Sequence, residues 1–133
     1  MEQFIGVYRI VSWEVFESDG SLSHPMGSSP RGFISYSAGG HMAVQIMNPD
    51  RPRFTSNDRW SSSSDEVAAA YAGYNAYAGR YRVNVDERYV IHTVECSLYP
   101  NRVGEELHRT FEFDGDRLTL STPDSKLVWQ RLE

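Results

Sequence analysis

Hydrophobic and polar residues alternate with a period of two through residues 89–113, and this pattern predicts two long β-strands. A turn built from residues 99–104, which contains Pro100 and Gly104, joins them. Each strand has one largely apolar row: Val90, His92, Val94, Cys96 and Leu98 in the first, and Leu107, Arg109, Phe111 and Phe113 in the second. Because an apolar row must face a core, His92 and Arg109 are predicted to point inward as well.

The same alternation, interrupted by turn residues, predicts further strands on both sides of this hairpin. They cover residues 4–17 (with a bulge near Val11–Ser12), 21–27, 31–37, 41–47, 79–85, 117–120 and 127–131. Eight or nine strands joined mostly by short turns indicate an all-β protein with an antiparallel up-and-down order. Such a sheet hides its edges best by closing into a barrel, and a flat sandwich is the structural alternative.

One substantial helix is predicted in the middle of the chain, over about residues 64–77, after an irregular segment at 48–62. Ser63 and Glu66 fit a capping box at its start, and Gly79 fits its end. One stripe of the helix would carry Val67, Ala70, Tyr71, Tyr74 and Tyr77. We expect the tyrosines of this stripe to serve the core or a homodimer contact rather than a binding site, and the helix could cover one mouth of the barrel.

Composition narrows the classes of function. A chain of 133 residues predicts a single domain, residues 1–133. The net charge of −5 without a Lys/Arg block argues against nucleic acid as a partner, and no apolar run reaches the length of a membrane helix. One cysteine excludes an internal disulfide, and the first residues do not resemble a signal peptide, so a cytoplasmic protein is expected.

His92 and Arg109 are the leading candidates for a ligand site, because a polar group in an apolar row costs free energy unless it is paired. Together they could grip a carboxylate or an enolate, with His92 acting as an acid or base near neutral pH. They are therefore also the candidates for a catalytic role, which the sequence does not assign. In the structural alternative, Arg109 pairs with a buried carboxylate such as Glu14 or Glu95, and His92 bonds a hydroxyl.

Four aromatic residues could line a pocket for a flat apolar ligand, namely Tyr8, Tyr36, Tyr81 and Trp129. Plain core packing explains them equally well. Cys96 is expected to be a buried, inert thiol because it follows Val94 in an apolar row. No metal site and no cofactor are predicted, since the four histidines show no spacing typical of metal ligands.

Several short motifs together resemble the small bacterial and fungal lipocalin-like domain family. They are Gly6-Val7-Tyr8, Gly32 to Tyr36, Gly40-His41-Met42, Tyr74 to Tyr81, His92, Ser97 to Asn101 with Gly104, Arg109, Leu118-Thr119-Leu120 and Trp129-Gln130-Arg131. The set spans nearly the whole chain in order. The resemblance implies a calycin-type barrel that encloses a pocket.

The wider superfamily has a Gly-x-Trp on its first strand and a late arginine stacked on that tryptophan. Here Tyr8 replaces the tryptophan, and the late arginine would be Arg131, stacked on Tyr8 or on Trp13. The family has no single activity to carry over, although some members resemble domains of secondary-metabolite pathways.

Three functions remain open from the sequence. The first is binding of a small, largely apolar molecule in the barrel, oriented by Arg109 and His92. The second is a cofactor-independent isomerase or cyclase that acts on a natural-product intermediate in the same pocket. The third is an interaction module with a filled barrel.

Overall fold

The computed structural model describes residues 2–133, so of the predicted domain only residue 1 lies outside it. Nine strands form one antiparallel sheet: β1 (Gly6–Phe16), β2 (Leu22–Ser23), β3 (Arg31–Tyr36), β4 (His41–Met47), β5 (Tyr74–Asn84), β6 (Tyr89–Ser97), β7 (Glu106–Asp114), β8 (Arg117–Thr122) and β9 (Ser125–Arg131). One α-helix, α1 (Ser64–Ala72), lies between β4 and β5. Short 3₁₀ helices at Glu2–Phe4 and Pro100–Arg102 complete the chain.

The sheet closes on itself because β1 pairs with β3 along one edge and with β9 along the other. From β3 to β9 each strand pairs with the next in sequence, so eight strands form the barrel. The short β2 pairs only with the end of β1, at Val15 and Phe16. The predicted up-and-down barrel is therefore confirmed, and the flat sandwich is wrong.

Strand β1, which pairs with both β3 and β9, contains a bulge. The register against β9 shifts between Ile10 and Ser12, at the position where the apolar row changes parity in the sequence. Tyr8 and Ile10 point into the core before the bulge, and Trp13 packs against the core after it. The extra residue increases the local bend of the strand, which helps an eight-stranded sheet to close.

The helix ends earlier than the sequence pattern predicted. Ser63 caps it as expected, and its side chain accepts a hydrogen bond from the Glu66 amide while the Glu66 carboxylate accepts one from the Ser63 amide. Gly73, not Gly79, closes its other end. The prediction of a helix to residue 77 is wrong because residues from Tyr74 onward pair with β4, with Val44 opposite Tyr77.

The predicted apolar stripe of the helix does not pack against the barrel. Val67 and Tyr71 are 51% and 47% exposed, and no residue of α1 is buried. Tyr77, predicted to lie on the helix, is instead an inward residue of β5 and belongs to the core. The barrel is therefore held by its strands, and α1 contributes little to the core.

A second bulge, in β6, corrects the prediction for Cys96. Gly79 pairs with Val94 and Ala78 pairs with Cys96, so Glu95 is the extra residue of β6. A Cβ atom at Gly79 would collide with the Thr93 carbonyl oxygen, so glycine is required at this close approach. The bulge turns Cys96 outward, where it is exposed rather than buried.

The chain termini close one end of the barrel. Phe4, in the first 3₁₀ helix, is 1% exposed, and its ring makes edge contacts with Tyr36, Phe111 and Phe113. The Arg131 guanidinium lies 4.7 Å from the centre of the Tyr8 ring, so the cation–π contact forms on Tyr8 rather than on Trp13. We call this the closed end.

The opposite end carries the 3₁₀ turn Pro100–Arg102 and α1, and we call it the open end. On β7 the inward row of Leu107, Arg109, Phe111 and Phe113 is only half-buried, although its cross-strand neighbours Val90, Leu118 and Leu120 are fully buried. The inward row of β7 is therefore more exposed to solvent than its neighbours on β6 and β8. None of the helices formed by residues 2–133 has the length and apolar character needed to cross a membrane.

Candidate functional site

His92 lies at the centre of the barrel wall, on β6 between β5 and β7. It pairs with Tyr81 on one side and Leu107 on the other, and its side chain is 1% exposed. It is the only buried polar or charged residue among residues 2–133. The prediction that His92 points inward is therefore confirmed.

Both ring nitrogens of His92 are hydrogen-bonded to tyrosine hydroxyls. The Tyr36 hydroxyl, from β3, lies 2.7 Å from Nε2, and the Tyr77 hydroxyl, from β5, lies 2.7 Å from Nδ1. We call these three residues the Tyr–His–Tyr chain. The structural alternative for His92, a bond to a hydroxyl, is thus observed twice.

The Tyr–His–Tyr chain is uncharged at neutral pH. Burial, with a smaller contribution from the positive charge of Arg109, lowers the pKa of His92 from 6.5 to about 3. Burial raises the pKa of Tyr36 well above 10 and also raises the pKa of Tyr77, although the charges of Arg109 and Arg102 oppose it at Tyr77. A charged form of any of the three would be poorly solvated in this interior.

Arg109 brings a positive charge to this uncharged cluster. It sits on the inward row of β7 opposite Val90, half-buried, and its Nη1 donates a hydrogen bond of 3.1 Å to the His108 carbonyl oxygen. Within residues 2–133 no carboxylate lies within ion-pair distance of it.

The two carboxylates named as alternative partners of Arg109 are engaged elsewhere. Glu95 lies 3.3 Å from Arg80, and Glu14 lies 3.8 Å from His24. The alternative in which Arg109 pairs with a buried carboxylate is therefore wrong. Arg109 therefore keeps a positive charge on the inward row of β7 that no carboxylate of the described part of the chain compensates.

Trp129 offers a second unused donor. It is 0% exposed on β9, between Leu118 and Ile10, and its Nε1 has no hydrogen-bond acceptor among the described residues. A buried N–H without an acceptor costs about 1–3 kcal/mol. Such an atom is a natural contact for an acceptor atom of a bound molecule or for water.

The hydroxyls of Tyr8 and Tyr81 bond the backbone at the closed end of the barrel. The Tyr8 hydroxyl donates to the Phe4 carbonyl oxygen at 2.9 Å, and the Tyr81 hydroxyl donates to the Ser37 carbonyl oxygen at 2.7 Å. Burial raises the pKa of Tyr8 to about 12. Both hydroxyls are thus used by the backbone, although the Tyr81 ring lies 4.8 Å from the Tyr36 ring and packs against the cluster of Tyr36, His92 and Arg109.

Tyr77 is the residue that sequence reasoning missed. The helical stripe assigned it to α1, whereas it lies on β5 with its hydroxyl on His92. The period-two row of Tyr77, Gly79, Tyr81 and Val83 contains the signal, because it extends the strand back past Gly79.

Two surface cavities lie outside the barrel. One, of about 560 Å³, is on the outer face of β1, β3, β4 and β5, and is lined by Arg9, Pro30, Arg31, Gly32, Phe33, Gln45, Met47 and Tyr74. The other, of about 480 Å³, lies beside α1. Neither is lined by a residue of the Tyr–His–Tyr chain. Within residues 2–133 no group of three or more His, Cys, Asp or Glu side chains could hold a metal ion.

Solved structures similar in fold include a lipocalin-like protein from Bacteroides uniformis, with a TM-score of 0.55 and 11% identity over 98% of this chain and 99% of that one. An uncharacterized protein from Bacteroides eggerthii has a TM-score of 0.53 and 13% identity over 96% and 98%. At these identities the likeness concerns the fold alone.

Sequence comparison gives a more specific relation. The 4'-hydroxy-3'-methoxypropiophenone carrier protein ppsC of Aspergillus oryzae is 38% identical over 87 residues, which is 61% of this chain and 78% of the relative. The family model described as a lipocalin-like domain matches residues 5–131. With the closed barrel, this match over nearly the whole chain shows that the protein belongs to the lipocalin-like domain family.

Proposed function

We propose that the protein binds and carries a small, largely apolar molecule in the barrel, oriented by Arg109. The observation that carries this proposal is the half-buried Arg109, which lies on the inward row of β7 and has no carboxylate partner among residues 2–133. Keeping an inward cation unpaired is costly for a purely structural residue. A ligand that supplies the missing acceptor accounts for its retention.

The surroundings of Arg109 suit an apolar ligand. Leu107 and Phe111, the half-buried neighbours of Arg109 on the inward row of β7, pack against the core and give an apolar lining. Further along the barrel, opposite Leu118, the Trp129 Nε1 is a buried donor without an acceptor among the described residues. Sites for small molecules commonly combine an apolar wall with a few placed polar groups.

The Aspergillus relative supports carriage over catalysis, because its name describes it as a carrier of 4'-hydroxy-3'-methoxypropiophenone. We therefore place the present chain among carriers of small molecules, in a cytoplasmic natural-product pathway. The isomerase or cyclase alternative would need His92 as an acid or base near neutral pH. A pKa of about 3 makes its imidazole a poor proton acceptor there, so we do not favour that alternative.

Native mass spectrometry of the protein purified from its own host tests the proposal. We expect a copurified small molecule, and we expect Arg109→Gln to lose it. Affinity for anilinonaphthalene sulfonate, an apolar fluorescent probe with one anionic group, should fall at least about tenfold in this variant, because a hydrogen-bonded charge is lost.

Arg82→Gln is the matched control. Arg82 is an outward arginine of β5 that lies 2.7 Å from Glu106, and an exposed pair of this kind contributes at most about 1 kcal/mol. This variant should keep the copurified molecule and the probe affinity. If Arg109→Gln binds both as well as the unchanged protein does, the proposed function is wrong.

A further inference from the structure

The Tyr–His–Tyr chain has one hydrogen more than it can use. A neutral imidazole has one N–H donor and one acceptor nitrogen. Since both nitrogens of His92 contact hydroxyls at 2.7 Å, one tyrosine must donate to the ring and the other must accept from it. The accepting tyrosine keeps its own O–H hydrogen, and the described residues form no second hydrogen bond to either hydroxyl.

Burial is the basis on which we assign the spare hydrogen to Tyr77. Tyr36 is 2% exposed and its ring is enclosed by Phe4 and Tyr81, whereas Tyr77 is 9% exposed. An unsatisfied donor costs more free energy the more completely it is removed from water. With this assignment, Tyr36 donates to Nε2, His92 donates from Nδ1 to the Tyr77 oxygen, and the Tyr77 hydrogen points away from the ring.

Tyr77 also lies on the side of the cluster with the positive charges. The Arg102 guanidinium is 5.8 Å from the centre of the Tyr77 ring, whereas the charge of Arg109 acts on all three residues of the Tyr–His–Tyr chain. Arg102 has an acidic neighbour in Glu105, at 3.8 Å, while Arg109 has no carboxylate partner within residues 2–133. Arg109 lies one inward position along β7 from Leu107, the cross-strand partner of His92, so the Tyr77 hydroxyl bound to His92 and the Arg109 side chain belong to the same region of the barrel.

We infer that the ligand presents an anionic oxygen, such as a carboxylate or phenolate, to the Tyr77 hydroxyl and the Arg109 guanidinium together. Hydrogen bonds to an anionic acceptor are shorter and stronger than those to a neutral one, so the pair selects for charge. His92 does not touch the ligand and is a positioning residue that fixes the direction of the Tyr77 hydrogen. This inference rests on the proposed function and specifies the chemical class of its ligand.

Two probes with the same ring systems separate charge selection from apolar binding. Anilinonaphthalene sulfonate carries an anionic group that phenylnaphthylamine lacks. We expect the unchanged protein to bind the sulfonate at least about tenfold more tightly, as one charged hydrogen bond provides. Tyr77→Phe should remove most of this advantage while leaving the affinity for phenylnaphthylamine nearly unchanged.

Tyr81→Phe is the control, because its hydroxyl is also inward but donates to the Ser37 carbonyl oxygen at the closed end. It should preserve the preference for the anion. If the unchanged protein binds both probes equally, the ligand class is wrong, while the carrier function stands where a small molecule copurifies and Arg109→Gln loses it. If neither probe binds and no molecule copurifies, both proposals are wrong.

Nitrogen-15 NMR of histidine-labelled protein tests the proton direction without any ligand. We expect the proton of His92 on Nδ1, the ring nitrogen that bonds the Tyr77 hydroxyl. A proton on Nε2 would place the spare hydrogen on Tyr36 and would overturn the inference, whatever the probes show.

Discussion

His92 shows how a buried histidine can be held neutral without a charged partner. Two phenol hydroxyls satisfy both ring nitrogens, so the imidazole loses little by leaving water in its neutral form. The protonated form would be a buried cation near a second cation, Arg109, and is strongly disfavoured. Protonation of this side chain and folding are therefore coupled.

The sign of this coupling gives a pH prediction. Above pH 6.5 His92 is neutral in both the folded and the unfolded chain, so its contribution to stability is fully present. Below pH 6.5 the unfolded chain takes up a proton that the folded chain refuses until about pH 3. The free energy of unfolding should therefore fall by up to roughly 1.4 kcal/mol per pH unit through this window.

Urea denaturation between about pH 7.5 and pH 5 measures this slope before most carboxylates titrate. His92→Gln keeps one donor group and one acceptor but cannot titrate, so its stability should be lower by about 1–3 kcal/mol at neutral pH and less dependent on pH. His41→Gln, at an exposed position, should keep the original slope. Equal slopes for His92→Gln and the unchanged protein would contradict the coupling.

At the scale of elements, α1 is a helix fixed by its cap rather than by packing. No residue of α1 is buried. The Glu66 carboxylate also accepts a hydrogen bond of 2.8 Å from the Thr55 amide, so one side chain holds both the helix start and the irregular segment before it. Local polar contacts therefore define this segment, while the core lies in the strands.

Removing the cap should loosen α1 without unfolding the barrel. Ser63→Ala deletes the acceptor of the Glu66 amide, which costs about 1 kcal/mol in the helix. Amide hydrogen exchange at Glu66 should be about fivefold faster, as this cost implies. Exchange at Val94, whose amide bonds the Glu105 carbonyl oxygen within the barrel, should be unchanged. A similar acceleration at both sites would mean that α1 supports the barrel.

Local pattern predicted much of the fold and part of the candidate site. The facings of His92, Arg109, Tyr36 and Trp129 follow from period-two alternation, which a strand imposes on its own sequence. The facings of Cys96 and Tyr77 do not follow from this alternation. Cys96 is turned outward by the bulge of β6 against β5, and Tyr77 is placed by the pairing of β5 with β4. Such pairing is a non-local event, and helical spacing at Tyr74 and Tyr77 competed with it.

The whole molecule is a barrel whose two ends differ in how their polar groups are used. At the closed end, the Tyr8 and Tyr81 hydroxyls donate to backbone carbonyl oxygens. Toward the open end, the Tyr77 hydroxyl bonds only the His92 side chain, and Arg109 belongs to the half-buried inward row of β7. The closed end is therefore suited to stability, and the open side is suited to receiving a ligand.

Arg131 is the residue on which the closed end depends most directly. Its Nη1 donates a hydrogen bond of 2.8 Å to the Ile5 carbonyl oxygen, and its Nη2 donates one to the Gln3 carbonyl oxygen. Its positive charge lies over the Tyr8 ring. The guanidinium thus ties β9 to the segment that carries Phe4 into the core. Arg131→Met should lower the free energy of unfolding by about 1–3 kcal/mol, the sum of a cation–π contact and hydrogen bonds.

The same variant tests whether the two ends are independent. Because Arg131 lies at the closed end, Arg131→Met should change the affinity for anilinonaphthalene sulfonate by less than about twofold, as expected for well-separated sites. Arg117→Met, which removes only an exposed contact of 3.1 Å to Gln130, should change stability by less than about 0.5 kcal/mol. Urea denaturation and probe titration measure both quantities. A loss of probe affinity as large as that of Arg109→Gln would show that the closed end shapes the binding site. The direct contact between the Phe4 and Tyr36 rings would then transmit the disturbance to the Tyr–His–Tyr chain.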